Sequence, residues 1–466
     1  MTTDAKLANL PFTVASLHRA YRDGLSPQRL VAEVYRRIHA VNDPGIFLHL
    51  IDEAQAEASA AALPGFDPNA RPLWGIPVAV KDNIDVEGMP TTVACPAFAY
   101  RADADAYVVR RLREAGAVPI GKTNLDQFAT GLTGMRTPYA IPRNAVDARL
   151  IPGGSSSGSA VAVSRGLVSL ALGTDTAGSG RVPAAFNNVI GLKPSLGSLS
   201  AKGVVPACRT VETVSIFALT TADAWAVFEV MVGFDADDPW SKPSAGAVPC
   251  PLPAAFKVGI PSAASRRFFG DAVQAAAYAS ALESVAALGG DLVELDFLPF
   301  YEVGQLLYGG PWIAERFAVV EALLGRTPLA LHPVTREVIA AAREMSAVDA
   351  FRGFYRLADL RRAISLQFAG LDMLCVPTVP TIYTRSELEA DPFRPNVRLG
   401  TYTSFANLLD LCGIAVPTAP RRDGRPAGVT LLARAGADGL LAAVAGALHR
   451  NAGVALGATT WHVGAV

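Results

Sequence analysis

Short runs of continuous apolar residues, too short for helices and bounded by Gly, Pro or helical patterns, constrain this chain most. Residues 76–80 (IPVAV), 118–120 (VPI) and 168–172 (VSLAL) read as buried strands. A helical period over residues 108–115 separates the first two. Strands with no polar alternation need cover on both faces, so apolar strands alternating with helices predict an α/β fold.

The rest of the chain extends that pattern. Residues 13–62 read as helices interrupted by a loop at Asn42-Asp43-Pro44. Residues 235–253, rich in Pro, Asp, Ser and Ala, read as a surface connection. Further strands are predicted near 257–260, 292–297, 373–376, 414–416 and 428–432. Helices are predicted over 272–288, most of 303–350, 405–411 and a final Ala- and Leu-rich stretch to about 449. No internal repeat is present. One large domain is expected over 1–466, with a helical segment to about 65, a core over about 66–235 and a closing part over 254–466.

Composition excludes several classes. Hydrophobic residues make up 51% and charged residues 18%, a globular balance rather than a disordered one. The formal net charge of -1 gives no basic excess for nucleic acid or an anionic membrane surface. Mean hydropathy is +0.29, yet the apolar runs are too short or too interrupted to span a bilayer. The opening MTTDAKLANL has neither a basic region nor an apolar core of the kind a secretory signal needs. The five cysteines, at 95, 208, 250, 375 and 412, are widely spaced with no CxxC pair. They predict a reducing, cytoplasmic location and no metal site, with Cys95 and Cys208 as buried small hydrophobes.

The chemistry concentrates in residues 151–195, where two Gly/Ser-rich turns flank a helix pattern and a buried strand. Glycines at a strand-to-loop transition let backbone amides converge on one point, which is how an oxyanion hole is built. Thr176, Ala177, Gly178 and Ser179 sit just past the carboxyl end of their strand, where α/β sheets place ligands. Pro183 suits the first turn of the helix that follows. A serine nucleophile needs a base, and the six histidines carry no motif. A neutral lysine can serve instead, and Lys81, following an apolar run, is the candidate.

Other readings compete. Ser155 and Ser179, taken singly, could be ordinary loop serines, and Lys81 a strand-end lysine reaching water. GSSSG at 154–158 fits the nucleophile-elbow pattern centred on Ser156, but residues 147–153 make a poor preceding strand. The same glycines could cradle phosphate, though no G-K-[ST] follows.

Three motifs in order carry a resemblance: WGIPVAVKDNIDVEGMPTT from Trp74, GGSSSGSA from Gly153 and GTDTAGSGRVPAAFNNVIGLKPS from Gly173. Together they resemble the amidase signature family, whose two catalytic serines lie 24 residues apart, as Ser155 and Ser179 do. The resemblance covers essentially the whole chain and implies a central mixed β-sheet with helices on both faces. It implies Ser179 as acyl-forming nucleophile and Ser155 as bridge to Lys81, with a cis peptide between Gly154 and Ser155. The backbone N–H groups of Thr176, Ala177, Gly178 and Ser179 would hold the oxyanion. Ser156, Asp175 and Arg181 would support the reacting groups from behind. No cofactor is implied, and a homodimer is usual among relatives.

Within the family the chain is most similar to allophanate hydrolases, through TDTAGSGRVPAAFNN, GVVPACRTVETVSIFA from Gly203 and LGTYTSFANLLDLCGIAVPTAP from Leu399. That likeness implies a small anionic amide substrate, with ammonia released through an acyl-enzyme and carbon dioxide lost from the product. Related small amides, such as malonamate or biuret, are the alternative. Tyr308 and Arg316, eight positions apart, resemble the pair that grips the substrate carboxylate. Gly131 would line the pocket with its backbone. Gly309-Gly310-Pro311 breaks the helix between Tyr308 and Arg316, so helical spacing cannot show that they converge. An interior Tyr and a surface ion-paired Arg remain the alternative. The extra C-terminal domain common in allophanate hydrolases is not expected here, since the match runs to the end of the chain.

Overall fold

The computed structural model describes residues 7–243 and 246–462. Its framework is a single sheet of eleven strands. In chain order they are β1 (Phe47–Leu50), β2 (Pro77–Lys81), β3 (Val118–Thr123), β4 (Leu170–Thr174), β5 (Ile190–Lys193), β6 (Val214–Ala218), β7 (Phe256–Pro261), β8 (Gly290–Leu295), β9 (Met373–Pro377), β10 (Leu411–Pro417) and β11 (Gly428–Arg434). The spatial order is β1-β3-β2-β4-β6-β5-β10-β11-β9-β7-β8. β2 runs parallel to both β3 and β4, whereas β6 is antiparallel to β4, so the sheet is mixed. Every residue of β2, β4, β5, β6 and β10 is buried, which requires cover on both faces.

The helices start and stop where the sequence supplies the chemistry. Helix α1 (Val14–Arg22) begins at Thr13, whose side chain accepts from Ser16 N. Helix α2 (Pro27–Val41) begins with Ser26 and Pro27 and ends at Asn42 in the left-handed region (φ 44°), at the expected loop. Helix α3 (Ser157–Ser164) and helix α4 (Arg181–Phe186) flank β4 in sequence, with Pro183 in the first turn of α4. Helix α5 (Leu298–Gly309) and helix α6 (Trp312–Arg326) are separated at Gly310-Pro311, as expected from the breaker residues. Helix α7 (Ala347–Gln367) and helix α8 (Asp438–Ala452) lie in the distal half of the chain.

Three strands escape the sequence reading. β1 lies inside the stretch expected to be helical, and β5 and β6 were not foreseen. Each has only four or five residues, so its periodicity is weak beside long flanking segments. The expected strand at 292–297 begins and ends two residues earlier, as Gly290–Leu295. Among the described residues no helix is long and apolar enough to cross a membrane.

Candidate active site

The parallel pair β2/β4 places Lys81 and Thr174, the last residues of their strands, at one carboxyl edge of the sheet. Lys81 is fully buried, not snorkelling to water. Its Nζ donates to Ser155 Oγ at 2.7 Å and to Thr174 Oγ1 at 2.9 Å. The neighbouring Asp82 does not neutralise it. That carboxylate faces Lys122 Nζ at 3.4 Å and is held by Thr92. Burial lowers the Lys81 pKa to about 8, against the opposing pull of Glu212, Asp126 and Asp175.

Ser155 follows a cis peptide after Gly154. Its carbonyl accepts from Asp126 N at 3.0 Å. Asp126 is buried, and its carboxylate accepts from the amides of Thr133 (3.1 Å), Gly134 (2.9 Å) and Arg136 (2.8 Å). Ser156 Oγ donates to Thr174 O at 3.2 Å, tying the start of α3 to the end of β4.

Ser179 lies on the turn between β4 and α4 and is 2% exposed. Asp175 builds this turn. Its carboxylate accepts from Gly178 N (2.8 Å), Gly180 N (3.0 Å), and Arg181 Nε and Nη2 (both 2.9 Å). Burial alone would raise the Asp175 carboxyl, but the Arg181 guanidinium holds it below the usual carboxylate range. Arg181 Nη2 also donates to Thr403 O at 3.1 Å, locking the turn to the distal half of the chain. Of the four amides in the expected oxyanion set, that of Gly178 already has a partner. Its N–H is engaged by Asp175, so Thr176, Ala177 and Ser179 keep amides without a partner among the described residues. The chain of hydrogen bonds from Lys81 reaches Ser155 and stops there. Ser179 Oγ takes no hydrogen bond among the described residues.

Glu212, like Asp126, is a buried carboxylate that sequence reasoning missed. Because β6 is antiparallel to β4, the residues preceding β6 arrive at the carboxyl edge of β4, and Asp175 N donates to Thr213 O at 2.8 Å. Glu212 accepts from Thr176 Oγ1 (2.8 Å) and Ala207 N (2.6 Å). Burial pushes its carboxyl up. Its surroundings, CRTVETVSIF, mix polar and apolar residues and carry no signal that the carboxylate is buried.

Tyr308, on α5, and Arg316, on α6, do converge. Arg316 Nη2 lies 3.5 Å from Tyr308 OH, and the guanidinium carbon is 4.8 Å from the Tyr308 ring centre. The break at Gly310-Pro311 folds α6 back on α5 and so brings them together. Arg316 is 2% exposed, donates to Thr130 Oγ1 at 3.1 Å, and forms no ion pair among the described residues. Its Nε has no partner among them either. Gly131 is buried beside Thr130, and a Cβ there would stand 2.7 Å from Asp126 Oδ2. The Asp126 carboxylate therefore demands the glycine. Gly131 is absent from the lining of a nearby cavity of about 710 Å³, as are Lys81, Ser155 and Ser179. That cavity, which Tyr308 does line, reaches the Ser179 turn through Ser404, whose Oγ donates to Ala177 O at 3.5 Å. Cys208 is buried and its thiol is pushed up to about 12, which suits a packing role.

The amidase family profile matches residues 29–442. The chain is 43% identical over 383 residues to the urea amidolyase of Saccharomyces cerevisiae, covering 82% of this chain and 21% of that one. It is 44% identical over 366 residues to the urea amidolyase of Lachancea kluyveri, covering 78% and 20%. An allophanate hydrolase structure from Kluyveromyces lactis superposes with a TM-score of 0.89 at 38% identity, covering 95% of this chain and 73% of that one. The chain thus spans about a fifth of the length of the urea amidolyases it matches.

Proposed function

The chain belongs to the amidase family, and from that premise we propose that it hydrolyses allophanate, with Ser179 as nucleophile, Ser155 as relay and Lys81 as base. The observation that carries the substrate assignment is Arg316, a buried guanidinium with no carboxylate partner among the described residues, stacked on Tyr308. A buried cation without a counter-ion is costly, and a planar substrate carboxylate fits its fork. Tyr308 supplies a hydroxyl and an aromatic face beside it, and the Gly131 backbone closes the same loop.

The reaction balances on these groups. Neutral Lys81 draws the Ser155 proton as Ser155 takes that of Ser179, whose Oγ attacks the terminal carbamoyl carbon. The oxyanion forms against the amides of Thr176, Ala177 and Ser179. Collapse returns the proton to the leaving nitrogen, ammonia departs, and an acyl ester remains on Ser179. Water, deprotonated along the same path, cleaves the ester and releases an N-carboxycarbamate, which loses carbon dioxide. Asp175 and Arg181 hold the turn, while Ser156 holds the end of β4.

The test is ammonia release from allophanate, biuret, urea, malonamate and acetamide, with Ser179→Ala as control. Preference for allophanate, lost in the variant, is the expected result. Turnover of malonamate or biuret instead would keep the triad and overturn the substrate. We propose that the protein works as a cytoplasmic homodimer. The free cysteines support a reducing compartment. Val348, Phe351 and Tyr355, apolar and exposed on one side of α7, support burial against a second copy. Light scattering checks the dimer.

A further inference from the structure

The 710 Å³ cavity is of the size that ordinarily holds a drug-sized ligand, far more room than a urea-sized anion needs. Its charge is one-sided. Arg136, Arg267, Arg394 and Arg398 line it, against the single carboxylate of Glu337, in a chain whose net charge is -1. Arg394 is engaged by Asp391 at 3.3 Å. Arg267 and Arg398 are not ion-paired among the described residues. They lie over the rings of Tyr301 (4.2 Å) and Phe269 (4.6 Å), which fix their guanidiniums at the wall. Arg136 is 3% exposed, holds only the carbonyls of Thr130 (2.9 Å) and Pro392 (3.3 Å), and keeps an unpartnered Nε. Thr130 joins the two ends of the path. Its carbonyl takes Arg136 and its hydroxyl takes Arg316.

We propose that this cavity is an anion-binding vestibule, where Arg267 and Arg398 capture small carboxylate-bearing molecules and Arg136 hands them to Arg316. The inference rests on the anionic substrate proposed above. Low-dielectric walls lined by one sign of charge focus the field and raise capture rates by about 10- to 1000-fold, with a strong dependence on salt.

The test follows kcat/KM for allophanate between about 0.01 M and 0.15 M ionic strength, where the screening length shortens from about 30 to 8 Å. In the wild type it falls steeply as salt rises. In an Arg267→Gln/Arg398→Gln double variant it drops about tenfold at low salt, and the salt slope flattens. Glu337→Gln moves it the other way, upward at low salt. Opposite signs from opposite charges are not what damage to folding produces. Wild-type slopes in all variants, or a fall in Glu337→Gln as well, would overturn the vestibule. Absence of allophanate turnover in the wild type would instead sink the substrate assignment. Malonate binding measured by calorimetry over the same salt range then reads the vestibule directly, with the same expected and overturning slopes.

Discussion

Three buried lysines separate a base from a structural cation by their partners alone. Lys122 faces the Asp82 carboxylate, the Pro90 carbonyl and the Thr91 hydroxyl, and Lys193 donates to the carbonyls of Pro194 and Leu411. Carbonyls only accept, so Lys193 has no proton source beside it, and Lys122, though it meets one hydroxyl, is tied to a carboxylate. Lys81 meets two hydroxyls, which can give a proton as well as take one. A base must be neutral to work, and the Lys81 amine is neutral above about pH 8. Below that pH the ammonium cannot accept, so kcat/KM is expected to fall about tenfold per pH unit in acid and level off above about 8. A profile flat down to pH 6 would exclude this base. Lys81→Met is expected to lose about 10²- to 10⁴-fold in kcat while keeping the wild-type circular dichroism spectrum. Asp175 is structural in a different sense. Asp175→Asn strands the fully buried Arg181 guanidinium, and a loss of about 3–5 kcal/mol is expected in urea unfolding. The lysine and the two serines were legible because motif and spacing are local. Glu212 and Asp126 were not, because nothing near them in sequence says that a carboxylate is buried.

At the scale of elements, strand direction decides the site. Parallel β2 and β4 deliver Lys81 and Thr174 to the same edge, and antiparallel β6 delivers Glu212 to it from the other direction. The Gly/Ser turn before α3 is a tight joint. A Cβ on Gly154 would collide with Asp126 Oδ2 and Gly134 N. Overpacking of this kind costs about 1–3 kcal/mol or more, and here it also pushes on the residue that carries the Lys81 hydrogen bond. Gly154→Ala is therefore expected to lower the thermal midpoint and to depress kcat more than KM. A variant matching wild type in both measurements would show that the turn yields freely. The strand signal at β2 and β4 was legible because continuous apolar runs need no partner to be recognised. β6 was not, and with it went the reason Glu212 belongs to the site.

At the scale of the whole molecule, both ends of the described chain are fastened through one side chain. Arg37, on α2, donates to the carbonyls of Leu7, Ala8 and Leu10, to Gly166 O just past α3, and to Glu33. Its guanidinium lies 3.7 Å from the ring centre of Phe12 and 5.3 Å from that of Trp461. Arg37→Met is expected to cost about 3 kcal/mol, since it leaves those carbonyls and half of the Glu33 pairing buried without a donor. Limited proteolysis should then cut first at both ends, whereas cutting confined to one end would show that they are held separately. The distal half of the chain closes the site in the same non-local way. Thr403 accepts from Arg181, Asn407 Nδ2 donates to Asp175 O at 2.6 Å, and Ser404 joins the cavity to the Ser179 turn.

The sequence by itself determined which residues could do the chemistry and which segments had to be buried. Glycine positions, apolar runs and helix caps act over a few residues, so their consequences can be read in place. It also placed the break at Gly310-Pro311, but could not tell whether that break separated Tyr308 from Arg316 or folded them together. Only the tertiary structure decided that. It also decided that Arg316 finds no counter-ion among the described residues, that Asp82 goes to Lys122 and leaves Lys81 unneutralised, and that the Gly178 amide is spent on Asp175. Each of these is a pairing between groups brought together by the fold. Charge, desolvation and hydrogen-bond supply depend on such neighbours in space, and neighbours in sequence do not specify them.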